Sequence, residues 1–287
     1  MFPIRELSTA ETSPLLQEIP DSPKKLYLRG NLPPQGTKCL AVVGSRNYTN
    51  YGAQVVEYLI SGLKGYPISI ISGLALGIDS LAHTAALEYG LYTLSVPGSG
   101  LDDYVLYPRR NRGLAMRILK QGGGLLSEFE PDFSATPWSF PQRNRIMAGL
   151  SHAVLIIEAA EKSGTLITAR LATDYDRDLL VVPGNIFSES TKGTHQFLKL
   201  GATPITTPSD ILEVLDIEPK SHTKTESALH LSGQEQKVLN VLTQPRDRDE
   251  LIRLLNLPIH EANTLLMQME LQGHITTTGT QVTKAII

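Results

Sequence analysis

Two arginines and an asparagine are the residues of this chain whose types and spacing most clearly indicate chemistry. Arg143, Asn144 and Arg145 stand together within the run Phe140-Pro-Gln-Arg-Asn-Arg-Ile-Met-Ala-Gly-Leu150, directly before an apolar stretch. The change of pattern predicts that a helix begins near Arg145. Guanidinium groups bind phosphates in a bidentate geometry, and a helix N-terminus attracts anions. The run therefore indicates a phosphate-bearing ligand, and Phe140 is suited to stacking on a base.

Three further segments place glycines beside hydroxyl or charged side chains. They cover residues 44–46, 72–79 and 163–165, and each follows a short apolar run and precedes a helical pattern. Glycine allows a ligand to approach the backbone closely, and an arginine can hold a phosphate with two hydrogen bonds. From these segments we predict ligand contacts by Gly44, Ser45, Arg46, Ser72, Gly73, Gly77, Ser163, Gly164 and Thr165. Four such segments in one chain indicate that the ligand is a polyanion or a nucleotide.

The segment 72–79 does not match a known phosphate motif. It lacks the Gly-Lys-Ser/Thr of a Walker loop and the G-x-G-x-x-G of a dinucleotide fingerprint. We predict that its two glycines clear room for a ligand at a helix N-terminus. Asp79 is expected to cap that helix and to hydrogen-bond His83, which follows four residues later on the same face. A catalytic Asp–His pair is the less favoured alternative, because no nucleophile is indicated nearby.

A basic cluster follows the predicted third strand of the sheet. Arg109 and Arg110 belong to the densest group of arginines in the chain, and we predict that they contact the ligand. Asn111 either joins them or caps the next helix. Lys192 is expected to add charge to the same rim. Glu158 and Glu161 precede the segment 163–165, where they are assigned to ligand hydroxyls or to solvent.

The order of the apolar runs predicts an α/β fold. Short strands alternate with helices from residue 39 onward, which is typical of an extended Rossmann-like parallel sheet covered on both faces. Ligands bind at the carboxyl ends of the strands in such sheets. We divide the chain into an N-terminal lead-in (1–36), the Rossmann-like domain (37–217), a linker (218–229) and a small winged-helix-like domain (230–287) with three helices and a hairpin.

Composition excludes several classes of protein. The 287 residues include one cysteine, so neither a disulfide framework nor a multi-cysteine metal site is expected. No cofactor is predicted, and no apolar run has the length that spans a bilayer. We expect a soluble, cytoplasmic protein. The net charge of −3 argues against a globally basic nucleic-acid binder but leaves a local basic groove open.

The C-terminal segment carries little positive charge for a domain of its predicted type. From Leu231 to Ile287, five lysines and arginines stand against six aspartates and glutamates. Because duplex binding normally needs a basic surface, we predict that this domain makes protein contacts or has a weak accessory role.

Taken in order, these motifs resemble those of the DprA/Smf family, the bacterial DNA-processing proteins of natural transformation. The matching stretches are Gly44-Ser-Arg46, Ser72-Gly-Leu-Ala-Leu-Gly-Ile-Asp79 with His83, Tyr107-Pro-x-x-Asn111, Ser127-Glu128, Phe140–Leu150, Ser163-Gly-Thr-Leu-Ile-Thr-Ala169, Val182-Pro-Gly184 and Gly201-Ala202. They lie within about residues 26–215. The chain departs from the family pattern at Asp176-Arg177 and at His195, and a helical domain common at the N-terminus is reduced or missing.

The resemblance implies a function that the residues alone do not give. It implies a core that binds single-stranded DNA, forms a homodimer, protects incoming DNA and helps load the recombinase RecA, with no established catalytic activity. By the same resemblance, Arg46 falls on the DNA-contacting arginine of the family, and the segment Arg143–Arg145 falls on its binding pocket. The tail matches the winged-helix domain at the end of many members.

The alternative is a nucleotide-binding enzyme on the same fold. Phosphoribohydrolases with a similar core carry a Pro-Gly-Gly-x-Gly-Thr-x-x-Glu loop with a catalytic glutamate. This chain has Lys162-Ser-Gly-Thr-Leu-Ile-Thr-Ala-Arg170 there, with Ile167 and Thr168 where the glutamate is needed. The difference favours binding without catalysis, and no catalytic residue is predicted.

Overall fold

The computed structural model describes residues 2–161, 163–219, 232–242 and 244–284. These residues fall into two compact units, one before and one after the segment 220–231. The predicted linker 218–229 lies outside the described residues except for its first two positions. None of the helices in the described ranges has the length and apolarity needed to cross a bilayer.

A nine-stranded sheet organises the first unit. Its strands are β1 (Ile4–Ser8), β2 (Lys25–Gly30), β3 (Lys38–Val43), β4 (Ile68–Ser72), β5 (Tyr92–Ser95), β6 (Gly124–Ser127), β7 (Ala153–Ile156), β8 (Asp178–Val181) and β9 (Thr203–Pro204). They lie in the order β1-β2-β6-β5-β4-β3-β7-β8-β9. Strands β3 to β9 pair in parallel, whereas β1 and β2 add an antiparallel edge next to β6. The lead-in residues therefore extend the sheet, which sequence reasoning did not foresee.

The chain changes direction across the sheet at β3. It runs outward from β3 through β4, β5 and β6, and then returns to the other side of β3 as β7. The loops after β3 and β7 consequently diverge and leave a crevice between them. This topological switch point is where ligands bind in open α/β sheets.

Helices cover both faces of this sheet. They are α1 (Pro14–Gln17), α2 (Asn50–Ser61), α3 (Ile78–Glu88), α4 (Arg112–Lys120), α5 (Ser139–Leu150), α6 (Thr165–Asp174), α7 (Lys192–Lys199) and α8 (Pro208–Val214). Alternate residues of β3 enter different cores: Ala41 packs with residues of α5 and α6, and Leu40 packs with residues of α2 and α3. The predicted Rossmann-like α/β fold is confirmed.

Helix α5 differs from its prediction. It begins at Ser139 rather than near Arg145, so both arginines lie inside the helix. Pro141 is accommodated because it stands in the first turn, where its missing N–H would have no intrahelical partner. The arginines therefore do not mark a helix N-terminus that is open to anions.

The second unit has the winged-helix arrangement expected from the sequence. It contains α9 (Gly233–Val241), β10 (Arg246–Asp247), α10 (Arg248–Leu255), α11 (Ile259–Leu271), β11 (Ile275–Thr278) and β12 (Gln281–Lys284). The strands form an antiparallel sheet in the order β10-β12-β11, with β11 and β12 as the hairpin. Apolar residues of all three helices and of the hairpin share one core.

His83 is fully buried where α3 packs on the sheet. Its Nδ1 lies 2.7 Å from the hydroxyl of Thr93 on β5. The predicted hydrogen bond to Asp79 is wrong, because that carboxylate accepts from backbone N–H groups of the preceding loop instead. Burial lowers the pKa of His83 from 6.5 to about 3. The imidazole is therefore neutral in the folded protein over most of the acidic range.

This buried histidine predicts a defined loss of stability in acid. Between pH 6.5 and about pH 3 the unfolded chain binds a proton at His83 and the folded protein does not. The free energy of unfolding should therefore fall by about 1.4 kcal/mol per pH unit from this residue as the pH drops from 6 to 4. Urea unfolding across that range should show that the free energy of unfolding falls less steeply with decreasing pH in His83→Asn than in the wild type. Parallel profiles of the two proteins would contradict this assignment.

Candidate nucleic-acid interface

A cavity of about 300 Å³ opens at the switch point of the sheet. It is bounded by the loop after β3, the loop after β4, the first half of α5 and the start of α6. Nine of the predicted ligand contacts line it: Gly44, Ser45, Arg46, Phe140, Arg143, Asn144, Ser163, Gly164 and Thr165. The fold thus brings together segments that are up to 120 residues apart in sequence.

The loop after β3 is fixed on the N-terminus of α3. The backbone N–H of Ile78 donates to the carbonyl of Ser45 at 3.1 Å. Gly77 makes this contact possible: its φ is +86°, and a Cβ there would lie 2.3 Å from the Ser45 oxygen. Gly77 therefore clears room for the protein's own backbone. The prediction that a ligand occupies this helix N-terminus is wrong.

Arg46 presents a free positive charge at the mouth of the cavity. Its side chain is exposed, and its guanidinium carbon lies 5.4 Å from the centroid of the Phe140 ring. A guanidinium at this distance is attracted to the face of an aromatic ring. The half-buried Phe140 thus keeps Arg46 beside the opening without neutralising its charge.

Arg143 is buried below Arg46 and acts as a structural tie. Its Nη1 donates to the carbonyls of Gly73 and Val96, and its Nε donates to Asn144 Oδ1 at 3.1 Å. A Cβ on Gly73 would lie 2.1 Å from the same Nη1, so this glycine makes room for an arginine rather than for a ligand. Burial lowers the pKa of Arg143 to about 10, and the group remains charged at neutral pH.

Asp79 is a buried carboxylate that bonds the backbone of the loop after β4. Its Oδ2 accepts from the backbone N–H groups of Gly73 at 3.1 Å and Ala75 at 3.4 Å. Burial raises the pKa of Asp79, while Arg143, the two N–H groups and Arg46 act in the opposite direction. Asp79 therefore holds the loop after β4 and does not cap α3, whose N-cap is Gly77.

The start of α6 closes the other side of the cavity. The hydroxyl of Ser163 accepts from the backbone N–H of Thr165 at 3.2 Å. The Thr165 hydroxyl in turn donates to the carbonyl of Gly44 at 3.2 Å. These bonds join the loop after β7 to the loop after β3. Gly164 lies between the two side chains and is exposed to solvent.

Several backbone donors around this cavity lack partners among the described residues. The N–H groups of Ser45, Arg46 and Gly164 have no hydrogen-bond acceptor among the described residues. Backbone N–H groups at loops and helix starts are common ligands of anions. Together with Arg46 they form a positively polarised lining.

Several residues that were predicted to contact the ligand instead bond other parts of the protein or lie outside the cavity. The Ser72 hydroxyl donates to Val42, and the Asn111 amide donates to Leu74, Ala75 and Ser80, so Asn111 does not cap α4 through its side chain. Arg145 is buried and pairs with Glu128 and Asp21. Lys192 pairs with Glu189 on the surface. Arg109 and Arg110 are exposed but line neither this cavity nor its smaller neighbour.

Of the two glutamates, Glu158 has a different role from the predicted one, whereas Glu161 faces solvent, one of its two predicted environments. Glu158 is fully buried and accepts from the N–H and hydroxyl of Thr49 and from the hydroxyl of Ser190. It therefore caps the start of α2 from inside the protein. Glu161 is exposed. Among the residues that line the main cavity, the one carboxylate is that of Asp79.

Sequence reasoning missed part of the lining. Asn47, Ala75, Met147, Ile167 and Thr168 face the main cavity. A smaller hollow beside it adds Leu76, Tyr107 and Pro108. The Tyr-Pro pair directly before the basic cluster was a signal that could have identified Tyr107, whose side chain is exposed. No cluster of three or more metal-ligand side chains occurs in the described part of the chain.

Comparison with known proteins gives a consistent result. The family model for DNA recombination-mediator protein A matches residues 6–216, and that for the DprA winged helix domain matches residues 222–279. Protein Smf of Escherichia coli (strain K12) is 36% identical over 273 residues, which cover 91% of this chain and 72% of that protein. DNA processing protein DprA of Streptococcus pneumoniae is 41% identical over 197 residues, covering 69% of this chain and 68% of that protein.

Two solved structures resemble the fold as well. The X-ray structure of DprA from Streptococcus pneumoniae has a TM-score of 0.68 and 38% identity, covering 76% of this chain and 75% of that one. A structure of DNA processing protein A from Helicobacter pylori, described as showing a unique single-stranded DNA binding mode, has a TM-score of 0.66 and 31% identity. It covers 76% of this chain and 98% of that one. Sequence and fold point to the same family.

The backbone conformation and close contacts of Gly77 predict that any side chain at this position lowers the stability of the fold. Gly77→Ala should lower the free energy of unfolding by at least about 1 to 3 kcal/mol, because the backbone conformation suits only glycine and the new Cβ meets Ser45. Gly113→Ala is the matched control, since a Cβ there meets nothing within 4 Å. Urea unfolding of both variants checks the prediction. Equal stabilities for the two would show that the loop after β3 is not fixed as described.

The buried bonds of Arg143 predict that its variants lose stability. Arg143→Met should lower the free energy of unfolding by about 2 to 6 kcal/mol, because it leaves the buried carbonyls of Gly73 and Val96 without a donor. The double variant Arg143→Met with Asp79→Asn should recover part of this loss in a thermodynamic cycle, because the charge of Arg143 also favours the Asp79 carboxylate. Denaturant unfolding measures all three proteins. A single variant as stable as the wild type would refute this role of Arg143.

Proposed function

The chain belongs to the DprA/Smf family, and from that premise we propose that it binds single-stranded DNA in the cavity at the switch point of its sheet. The DNA-processing assignment is shared with the relatives named above. The structure from Helicobacter pylori, 31% identical, is described as binding single-stranded DNA. The cavity of this chain supplies the chemistry that such a ligand needs.

The observation that carries the proposal is the unpartnered polar lining beside an aromatic ring. The N–H groups of Ser45, Arg46 and Gly164, with the Arg46 guanidinium, offer donors for phosphate oxygens. Phe140 offers a ring at the same opening. Sequence-tolerant binding of single strands rests on this combination of phosphate contact and base stacking.

The same geometry favours a single strand over a duplex. A base can stack on Phe140 only when it has left its own stack, as bases in loops and single strands do. The overall charge of −3 provides no general attraction to the two backbones of a duplex. The opening of the cavity nevertheless carries positive charge, because Arg46 is exposed there.

The proposal extends to the roles that the family resemblance implies. A bound strand would be shielded from nucleases over the nucleotides in contact with the protein. The complex would then help to load RecA onto that strand. A homodimer would place two cavities on one strand, which raises the affinity through the high local concentration of the second site. These roles place the protein in the cytoplasm with its DNA. The winged-helix unit is proposed to contact proteins.

Binding is proposed rather than phosphoribohydrolase chemistry. A hydrolase needs a carboxylate that is free to act at the sugar, and Asp79 is buried and held by two backbone N–H groups. Ile167 and Thr168, at the positions of the enzyme's glutamate, line the cavity without an acidic group. Incubation with nucleoside monophosphates should therefore release no free base.

Arg46 is the residue whose removal tests the proposal. Arg46→Ala should weaken binding of a labelled oligothymidylate and reduce the salt slope by about 0.7, the value for one phosphate contact on a single strand. Arg117→Ala, an exposed arginine on α4 outside the cavity, is the control. Fluorescence anisotropy across a salt series measures both. Unchanged slopes in a folded Arg46→Ala protein would move the site elsewhere, and no binding by the wild type would reject the function.

A further inference from the structure

A second, smaller hollow adjoins the main cavity across the Phe140 ring. It has a volume of about 40 Å³ and shares Arg46, Phe140 and Arg143 with the main cavity. Its remaining walls include Leu76, Tyr107 and Pro108. The two spaces are therefore neighbours, and the Arg46 guanidinium and the Phe140 ring border both.

Tyr107 presents its ring to solvent beside Phe140. The two ring centroids lie 5.6 Å apart with an interplanar angle of 51°. Tyr107 is 46% exposed and Leu76 is 37% exposed. The Tyr107 hydroxyl makes no hydrogen bond within the described part of the chain. The Tyr107 ring is thus not part of the hydrophobic core, and its hydroxyl is not fixed by a hydrogen bond to the described residues. Its apolar surface is open to a ligand.

The backbone around Tyr107 is held firmly, although its side chain is exposed. The Tyr107 N–H donates to the Ser99 hydroxyl at 3.2 Å, and the Arg112 Nε donates to the Leu106 carbonyl at 3.1 Å. The Asn111 amide donates to the carbonyls of Leu74 at 2.7 Å and Ala75 at 3.1 Å. These bonds tie the Tyr107 turn to the loop that carries Leu76. A ring on a fixed backbone loses little freedom when it stacks on a ligand.

Charge around the hollow suits the continuation of a polyanion. The Arg46 guanidinium lies 5.4 Å from the centroid of the Phe140 ring, and the centroid of the Tyr107 ring lies 5.6 Å from the same point. Arg109 and Arg110 follow Tyr107 in sequence after Pro108 and are exposed. Exposed positive charge therefore accompanies the pair of rings, as it does in single-strand channels.

We infer that Tyr107, with Leu76 and Pro108, forms a second base-stacking subsite. A single strand whose phosphates contact Arg46 places one base on Phe140 and its neighbour on Tyr107, and then leaves towards Arg109 and Arg110. The subsite takes nucleobases, through the ring face of Tyr107, and makes no phosphate contact. This inference rests on the proposed binding of single-stranded DNA.

The test compares two ligands that differ only in their bases. One is a labelled oligothymidylate of about twelve nucleotides, within the range of single-strand sites, and the other is an abasic deoxyribose-phosphate oligomer of equal length. Tyr107→Ala should weaken binding of the oligothymidylate by about 5-fold to 100-fold, the effect of losing one stacked base. Its affinity for the abasic oligomer and its salt slope should stay at the wild-type values.

The control is Tyr107→Phe, which keeps the ring and removes the hydroxyl. Its affinity for the oligothymidylate should stay within about twofold of the wild type, because stacking uses the ring face. Thermal unfolding of both variants shows whether they fold. If Tyr107→Ala does not fold, Tyr107→Leu in the same comparison serves as the second test, since it keeps an apolar side chain without a ring.

The outcomes separate the subsite from the binding function. Wild-type protein that binds neither ligand would reject the proposed function itself. Wild-type binding that is unaffected by loss of the Tyr107 ring would overturn the subsite alone. Equal weakening of both ligands would also overturn it, because Tyr107 would then act through the shape of its loop. Weakening confined to the base-bearing ligand supports the subsite.

Discussion

The buried guanidinium of Arg143 holds the candidate site together. It donates to the carbonyls of Gly73 and Val96, the first residues of the loops after β4 and β5. The buried carboxylate of Asp79 accepts from two N–H groups of the loop after β4, and the charge of Arg143 acts to lower its pKa. Because Arg143 lies on α5, its bonds fix that helix, and Phe140 one turn earlier, against the sheet. The exposed Arg46 then rests against a ring whose position is already set.

Arg46 and Arg143 have different roles, and this difference explains how a chain of net charge −3 can offer an anion site. The buried arginine bonds backbone carbonyls and shapes the cavity, and the exposed arginine keeps its charge available. The N–H groups of Ser45, Arg46 and Gly164, which have no acceptor among the described residues, add polarity without adding net charge. The site therefore depends on a fixed arrangement of donors rather than on a basic surface, which suits recognition of a few nucleotides at one opening.

The sequence predicted the fold better than it predicted the role of each site residue. Alternating apolar runs determined the strands, the helices and the edge of the sheet that carries the cavity, and residues 44–46 and 163–165 lie there as expected. The glycines were misread, because a sequence cannot show whether a missing side chain makes room for a ligand or for the protein itself. Gly73 admits Arg143, and Gly77 admits the backbone of Ser45. Arg143 and Arg145 were predicted to act on the same ligand, although residues at positions i and i+2 of a helix are rotated by about 200° around its axis. Once the helix starts at Ser139, they must face opposite sides, and Arg145 pairs with Glu128.

Amide hydrogen exchange with and without single-stranded DNA tests whether the strand lies in this cavity. The N–H groups of Ser45, Arg46 and Gly164, which have no acceptor among the described residues, should exchange rapidly in the free chain and be protected when an oligothymidylate binds. Peptides that cover residues 44–47 and 163–165 report this by mass spectrometry. Binding accompanied by protection only in other regions, such as residues 232–284, would contradict the account, because the strand would then lie outside the cavity at the switch point.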